Sequence, residues 1–118
     1  MAEKDELGRR GEAVAAEQLE ASGRVVLDRN WRCAIGEIDL ILREGTTTVF
    51  VEVKTRSSLA FGHPFEAITS AKSARLRRLA AEWCRENGPL PGDIRIDAVA
   101  VIDAWDPAPA VEHLAGIA

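Results

Sequence analysis

The chain has only two cysteines and two histidines in 118 residues, and they lie far from one another. Cys33 and Cys84 have no Cys-x-x-Cys spacing, so they read as reduced thiols and supply neither a disulfide framework nor a zinc site. His63 and His113 are equally isolated and enter no candidate ligand set. Long apolar runs are also missing, which leaves no segment able to span a bilayer and no expected membrane partner. The opening segment Met1-Ala2-Glu3-Lys4-Asp5-Glu6 is charged and lacks the apolar core of a signal peptide, which points to a cytoplasmic protein. Repeats, low-complexity tracts and internal linkers are absent. At this length residues 1–118 are expected to form a single domain that buries roughly two-thirds of its unfolded surface.

An excess of positive charge is lacking too, and a net charge of −4 argues at first against a nucleic-acid partner. The distribution points the other way. Between Lys54 and Arg85 there are seven basic residues (Lys54, Arg56, Lys72, Arg75, Arg77, Arg78, Arg85) against two acids, Glu66 and Glu82. From Glu86 onward six acids face Arg95 alone, which masks the basic segment in the total. A basic stripe beside acids able to hold metal suits phosphodiester chemistry, although solvated helix faces also produce such runs.

What the chain does have is a hairpin. In Gly36-Glu37-Ile38-Asp39-Leu40-Ile41-Leu42-Arg43, the residues Ile38, Leu40 and Leu42 share one face by strict alternation. In the return segment Val49-Phe50-Val51-Glu52-Val53-Lys54-Thr55-Arg56, so do Val49, Val51 and Val53. A tight turn at Gly45-Thr46 keeps the two apolar sets together and predicts the pairs Leu42–Val49, Leu40–Val51 and Ile38–Val53. The same register sets Asp39 across from Glu52 and Glu37 across from Lys54, with Cβ atoms roughly 5 Å apart. Two carboxylates so placed repel unless a cation lies between them or one takes up a proton. A hard divalent cation accepts one or two carboxylates together with water and phosphate oxygens, and Lys54 points the same way as Glu52. A solvated sheet face, on which Lys54 and Glu37 dilute the repulsion, gives the same pattern.

A first helix is predicted from about Glu3 to Ser22, ended by Gly23. Gly8, Ala15, Ala16 and Leu19 lie on one of its faces with Glu12 in the middle. A carboxylate carried inward is expensive unless bonded. Glu12 is therefore either a half-buried acid paired with Arg9 or Arg32, or an acid delivered to a site. Gly8 and Gly11 each cost the helix up to about 1 kcal/mol relative to alanine, which predicts a close backbone approach. Arg24 to Asp28 reads as a short strand and Asn30 to Gly36 as the loop feeding the hairpin. The segment Ser57 to Phe65 is either a lid or substrate-binding loop, or a loop pinned by Phe61 and Phe65.

A second helix is predicted from Ser70, as N-cap, to about Asn87-Gly88, before Pro89. Its buried stripe is Leu76, Leu79, Ala80 and Trp83, with Arg75, Arg78 and Arg85 on another side. Lys72 borders the stripe and either reaches the sheet or snorkels to water. Asp93 to Ile102 reads as a strand covered on both faces. Its Asp97 is a support for a site, a partner for Arg95, or an acid near an edge. Ala110 to Leu114 is the predicted last strand, whose open edge would suit a homodimer.

The order helix, three strands, helix, two strands, with an acid on the first helix, another on the second strand and Glu-x-Lys on the third, resembles the PD-(D/E)xK nuclease core. More closely, Gly36-Glu37-Ile38-Asp39-Leu40-Ile41, Phe50-Val51-Glu52-Val53-Lys54-Thr55-Arg56, Gly62-His63-Pro64 with Glu66-Ala67, Lys72, and Arg95-Ile96-Asp97 resemble the YraN family (UPF0102) of small bacterial nuclease-like proteins. The resemblance covers nearly the whole chain. It implies an α/β restriction-endonuclease-like core, a mixed central sheet of about five strands flanked by helices in the order αβββαββ. It also implies that Glu12, Asp39 and Glu52 are metal-binding acids for Mg2+ or Mn2+ and that Lys54 is the catalytic lysine. Ile38 stands where the superfamily motif has proline. The activity implied is metal-dependent hydrolysis of DNA, including structured or branched DNA, with Arg56, Lys72, Arg75 and Arg78 gripping backbone phosphates. The competing reading is a catalytically silent module that keeps the fold and binds nucleic acid or a protein partner.

Overall fold

A computed structural model describes residues 2–60 and 62–118, with side chains from Glu6 onward. The expected pinning of the loop by Phe61 lies outside the described residues, as does Met1 of the charged opening segment. Five strands carry the alternating apolar patterns: β1 (Val25–Cys33), β2 (Gly36–Glu44), β3 (Thr47–Arg56), β4 (Ile94–Ile102) and β5 (Ala110–Leu114). They form one sheet in that spatial order. Neighbours are antiparallel except β3 and β4, which run parallel and so need a crossover. Helix α2 (Ser70–Asn87) lies in that crossover and covers one face, while α1 (Ala2–Ala21) covers the other. This is the mixed-sheet α/β arrangement expected of a restriction-endonuclease-like core. No helix is long and apolar enough to cross a membrane among the described residues.

On the α1 face, Val14, Ala15, Ala16 and Leu19 pack on Leu40, Leu42, Val49, Val51, Val53, Val99 and Val101. The expected close approach is real at Gly11, where a Cβ would lie 1.9 Å from Thr55 Oγ1, and absent at Gly8, which faces open space. On the α2 face, the predicted stripe Leu76, Leu79, Ala80 and Trp83 packs on Ile41, Phe50 and Ile96. Phe50 meets Trp83 edge-on at 5.6 Å between ring centroids. The helix is capped by Thr69, one residue before the expected Ser70, through a 3.2 Å bond accepted from the Lys72 N–H.

The hairpin keeps the expected register from Glu44–Thr47 through Leu42–Val49 to Leu40–Val51, and there its ladder ends. The predicted pairs Ile38–Val53 and Glu37–Lys54 do not form. Beyond Leu40, β2 continues only with β1, as far as Gly36–Cys33, while β3 continues only with β4, as far as Arg56–Ile102. Ile38 also changes face, joining Ile41 and Phe50 under α2 instead of Leu40 and Leu42 under α1. The change of face coincides with an irregularity opposite, in β1. Asn30 has a left-handed backbone with φ +49°, and the ladder pairs Arg29–Leu40 and Trp31–Ile38 leave Asn30 and Asp39 unpaired between them. The predicted short strand over residues 24–28 is thus a longer, kinked strand that reaches Cys33.

At the turn end of the hairpin, distant residues form a chain of charges. Asp97 is fully buried and accepts bonds from Arg95 Nε and Nη2 at 2.8 and 2.9 Å and from the Gly116 N–H at 3.0 Å. His113 Nε2 lies 2.6 Å from its Oδ2. Arg95 also reaches Glu44 at 3.0 and 3.3 Å, and Arg24 Nε binds Glu44 at 2.6 Å. Of the three roles open for Asp97, partner to Arg95 is the one adopted. Burial alone would raise the Asp97 carboxyl, but Arg95, Gly116 and His113 outweigh it and hold it low. Arg95 and then Arg24 pull Glu44 down to about 2.

Two outcomes follow from these contacts. Gly11→Ala should destabilise the fold by about 1–3 kcal/mol in urea denaturation, and Thr55→Ala should restore part of that loss. Because Glu44 and Asp97 are depressed in the folded state, the stability they add is present above pH 4.5 and is lost as pH falls toward 2. Asp97→Asn should lower stability at pH 7 by about 3 kcal/mol and flatten this acid limb, as read from denaturation midpoints.

Candidate functional site

The divergence of β2 from β3 opens a fork, and Asp39 stands in it. Where the ladder would have continued, Asp39 Oδ2 accepts the Val53 N–H at 2.8 Å, so the side chain replaces a backbone partner. Asp39 is only 8% exposed and lies within hydrogen-bond reach of the Glu52 carboxylate. The juxtaposition expected from register thus forms across the fork, not across a closed ladder. Burial first, then Glu52, and more weakly the charge of Glu12, push the Asp39 carboxyl up to about 9 against the lowering effect of the Val53 N–H. Burial beside Glu52 thus favours the protonated form of Asp39.

On the α2 side of the fork a hollow of about 260 Å³ is lined by Glu37, Asp39, Glu52, Lys54, Lys72 and Arg75. Lys72 does reach toward the sheet: its amine comes within hydrogen-bond reach of Lys54, whose charge holds the Lys72 amine below its ordinary value. Two ammonium groups crowd one wall while two carboxylates crowd the floor. On the α1 side a smaller hollow of about 180 Å³ is lined by Arg9, Glu12, Ala13, Arg29, Asn30 and Asp39. A third, of about 550 Å³, runs between the start of α1 and the end of β3, bordered by Gly8, Glu12, Lys54, Thr55 and Arg56.

Glu12 therefore borders two hollows, and Asp39 links the α1 and α2 sides. Of the two readings open for Glu12, the ion pair with Arg9 or Arg32 does not form: Asn30 Nδ2 donates to Glu12 Oε1 at 2.7 Å, while Arg32 pairs with Glu37 at 3.0 Å. Among the described residues no three His, Cys, Asp or Glu side chains gather closely enough to form a three-ligand set. The close pair is Asp39 and Glu52, with Glu12 turned toward Asn30. Lys54, Lys72 and Arg75 share one hollow with that pair and Arg56 borders the third, but Arg78 is exposed and lines neither hollow beside Asp39. Asn30, Arg9 and Arg29 are the site residues that pattern reading passed over. An asparagine amid strand-forming residues, able to adopt φ +49°, was the one available signal.

The donor set suits a hard divalent cation. Two crowded carboxylates that retain a proton in the absence of metal would bind Mg2+ or Mn2+ with relief of repulsion, and the open hollow leaves room for oxygen ligands from water or phosphate.

Residues 11–101 match the family model described as Uncharacterised protein family UPF0102. The chain is 63% identical over 117 residues to a UPF0102 protein of Leifsonia xyli subsp. xyli, covering 99% of each. It is 57% and 54% identical over the same length to UPF0102 proteins of Beutenbergia cavernae and Arthrobacter sp., again covering 99% of each chain. The chain belongs to the UPF0102 family. The UPF0102 match opens at Gly11 and closes at Val101, so it contains Glu12, Arg29, Asn30, Asp39, Glu52 and Lys54 and leaves out Arg9 and His113.

The raised Asp39 carboxyl gives this UPF0102 chain a measurable signature. Between pH 4 and pH 9 the unfolded chain has released that proton and the folded chain has not, so stability in EDTA should fall as pH rises through this window. Asp39→Asn should remove the decline and raise the melting temperature at pH 8 by about 4–8 °C per kcal/mol of repulsion relieved, as read by calorimetric scans.

Proposed function

We propose that this UPF0102 protein is a divalent-metal-dependent nuclease that hydrolyses phosphodiester bonds in DNA, branched or otherwise structured DNA included. The observation that supports this most directly is the Asp39–Glu52 pair, held together in the fork with Lys54 on the same hollow. Asp39 and Glu52 would hold Mg2+ or Mn2+, and Glu12, steadied by Asn30, adds negative charge from the α1 side. When bound, the ion would polarise the scissile phosphate and lower the pKa of a water molecule. Lys54 donates hydrogen bonds that orient the attacking water and offsets charge gathering on the phosphate oxygens. Lys72 and Arg75 on α2, with Arg56 at the end of β3, hold neighbouring phosphates and place the strand without reading its bases. Arg78 extends that grip along α2. Such an enzyme would act in the cytoplasm, and the open edge of β5 is the surface through which two copies would pair.

Labelled duplex, flap and four-way-junction DNA, incubated with Mg2+ or Mn2+ and with EDTA, provide the test. Wild type should cut at least one substrate only with metal. Lys54→Ala should slow cutting by about a hundredfold or more while leaving the metal-induced rise in melting temperature in place. Metal stabilisation without cutting, and without any effect of Lys54→Ala, would select the silent binding module instead.

A further inference from the structure

The fork is open on both faces of the sheet, and basic side chains stand on both. Lys54, Lys72 and Arg75 occupy the α2 side, while Arg9 from α1 and Arg29 from β1 line the α1 side. Arg29 pairs with Leu40 in the β1–β2 ladder, which sets it beside Asp39 along the strand. Its contact with Glu20 is 3.5 Å long and solvent-exposed, a pair worth little, so the guanidinium is available to a ligand. Arg9 is also exposed. The acids facing this pair are Glu12, tied to Asn30 at 2.7 Å, and Asp39 at the floor. Two weakly engaged arginines around a hollow whose base is Asp39 suit a polyanion passing over that acid.

We infer that Arg9 and Arg29 form a second phosphate-binding wall, so that a nucleic-acid strand lies across the β2–β3 fork with phosphates held on both faces of the sheet. This rests on the reading of the fork as a nucleic-acid site and deepens it. The α2 wall and the α1 wall grip successive parts of one backbone, and Asp39 lies between them. Guanidinium groups suit this role because their planar donors match phosphate oxygens in pairs.

The test is fluorescence anisotropy of a labelled DNA oligonucleotide across a salt series, with Ca2+ in place of Mg2+ to limit cutting. The Arg9→Ala/Arg29→Ala double variant is compared with Arg10→Ala/Arg43→Ala, which removes equal charge from outside both the fork and the basic stripe, after both are shown to melt like wild type. The expected result is a loss of about tenfold or more for the first variant, with the slope of log affinity against log salt reduced by about two, and little change for the second. Equal affinity and equal slope for the two double variants overturn the second wall while leaving the α2-side site intact. Absence of binding by wild type removes the nucleic-acid reading and the second wall together.

Discussion

The burial of one carboxyl group against another is the constraint around which this molecule is arranged. Asp39 is buried beside Glu52 at the point where β2 leaves β3, and the strands separate there because Asp39 takes the Val53 N–H that a neighbouring strand would otherwise have bonded. One side chain thus ends a ladder, borders a hollow on each face of the sheet and stands beside a second carboxylate. The arrangement is strained electrostatically and well supported mechanically. On either side of the fork, β1 anchors β2 and β4 anchors β3 for the rest of their lengths.

The surroundings divide by task. Toward the hairpin turn, Arg24, Glu44, Arg95, Asp97 and His113 form a network in which every buried polar atom among the described residues finds a partner. Opposite charges alternate there, so burial is balanced by pairing. Toward the fork, like charges are grouped: acid with acid on the floor, Lys54 with Lys72 on the wall. Alternation thus balances buried charge at one end of the sheet, whereas at the other end like charges stand together. Gly11 serves the second region, because its missing Cβ lets α1 lie against Thr55 and brings Glu12 to the fork.

Much of this was legible in the chain. Period-two alternation and the Gly45 turn are local signals, and they gave the hairpin register through Leu40–Val51 and the proximity of Asp39 to Glu52. The α2 stripe and the span of β5 were equally local. The departures around the fork share one source. Alternation assumes an unbroken ladder, and nothing near Ile38 announces that Asn30, on another strand, adopts a left-handed backbone and shifts the faces there. The same distance hid the Asn30 bond to Glu12, since a charged group suggests an ionic partner and an amide does not advertise itself. Asp97 was ambiguous because Arg95, His113 and Gly116 converge on it only after folding.

If the acid pair in the fork is a cation site, binding of the ion displaces the proton that burial favours on Asp39. Isothermal titration of Mn2+ at pH 7, repeated in buffers of different ionisation enthalpy, counts the protons released per ion bound. With the Asp39 carboxyl raised to about 9, the expected result is saturable binding with release of about one proton per ion, and loss of both in Asp39→Asn. Binding that releases no proton, or no binding at all, would contradict it.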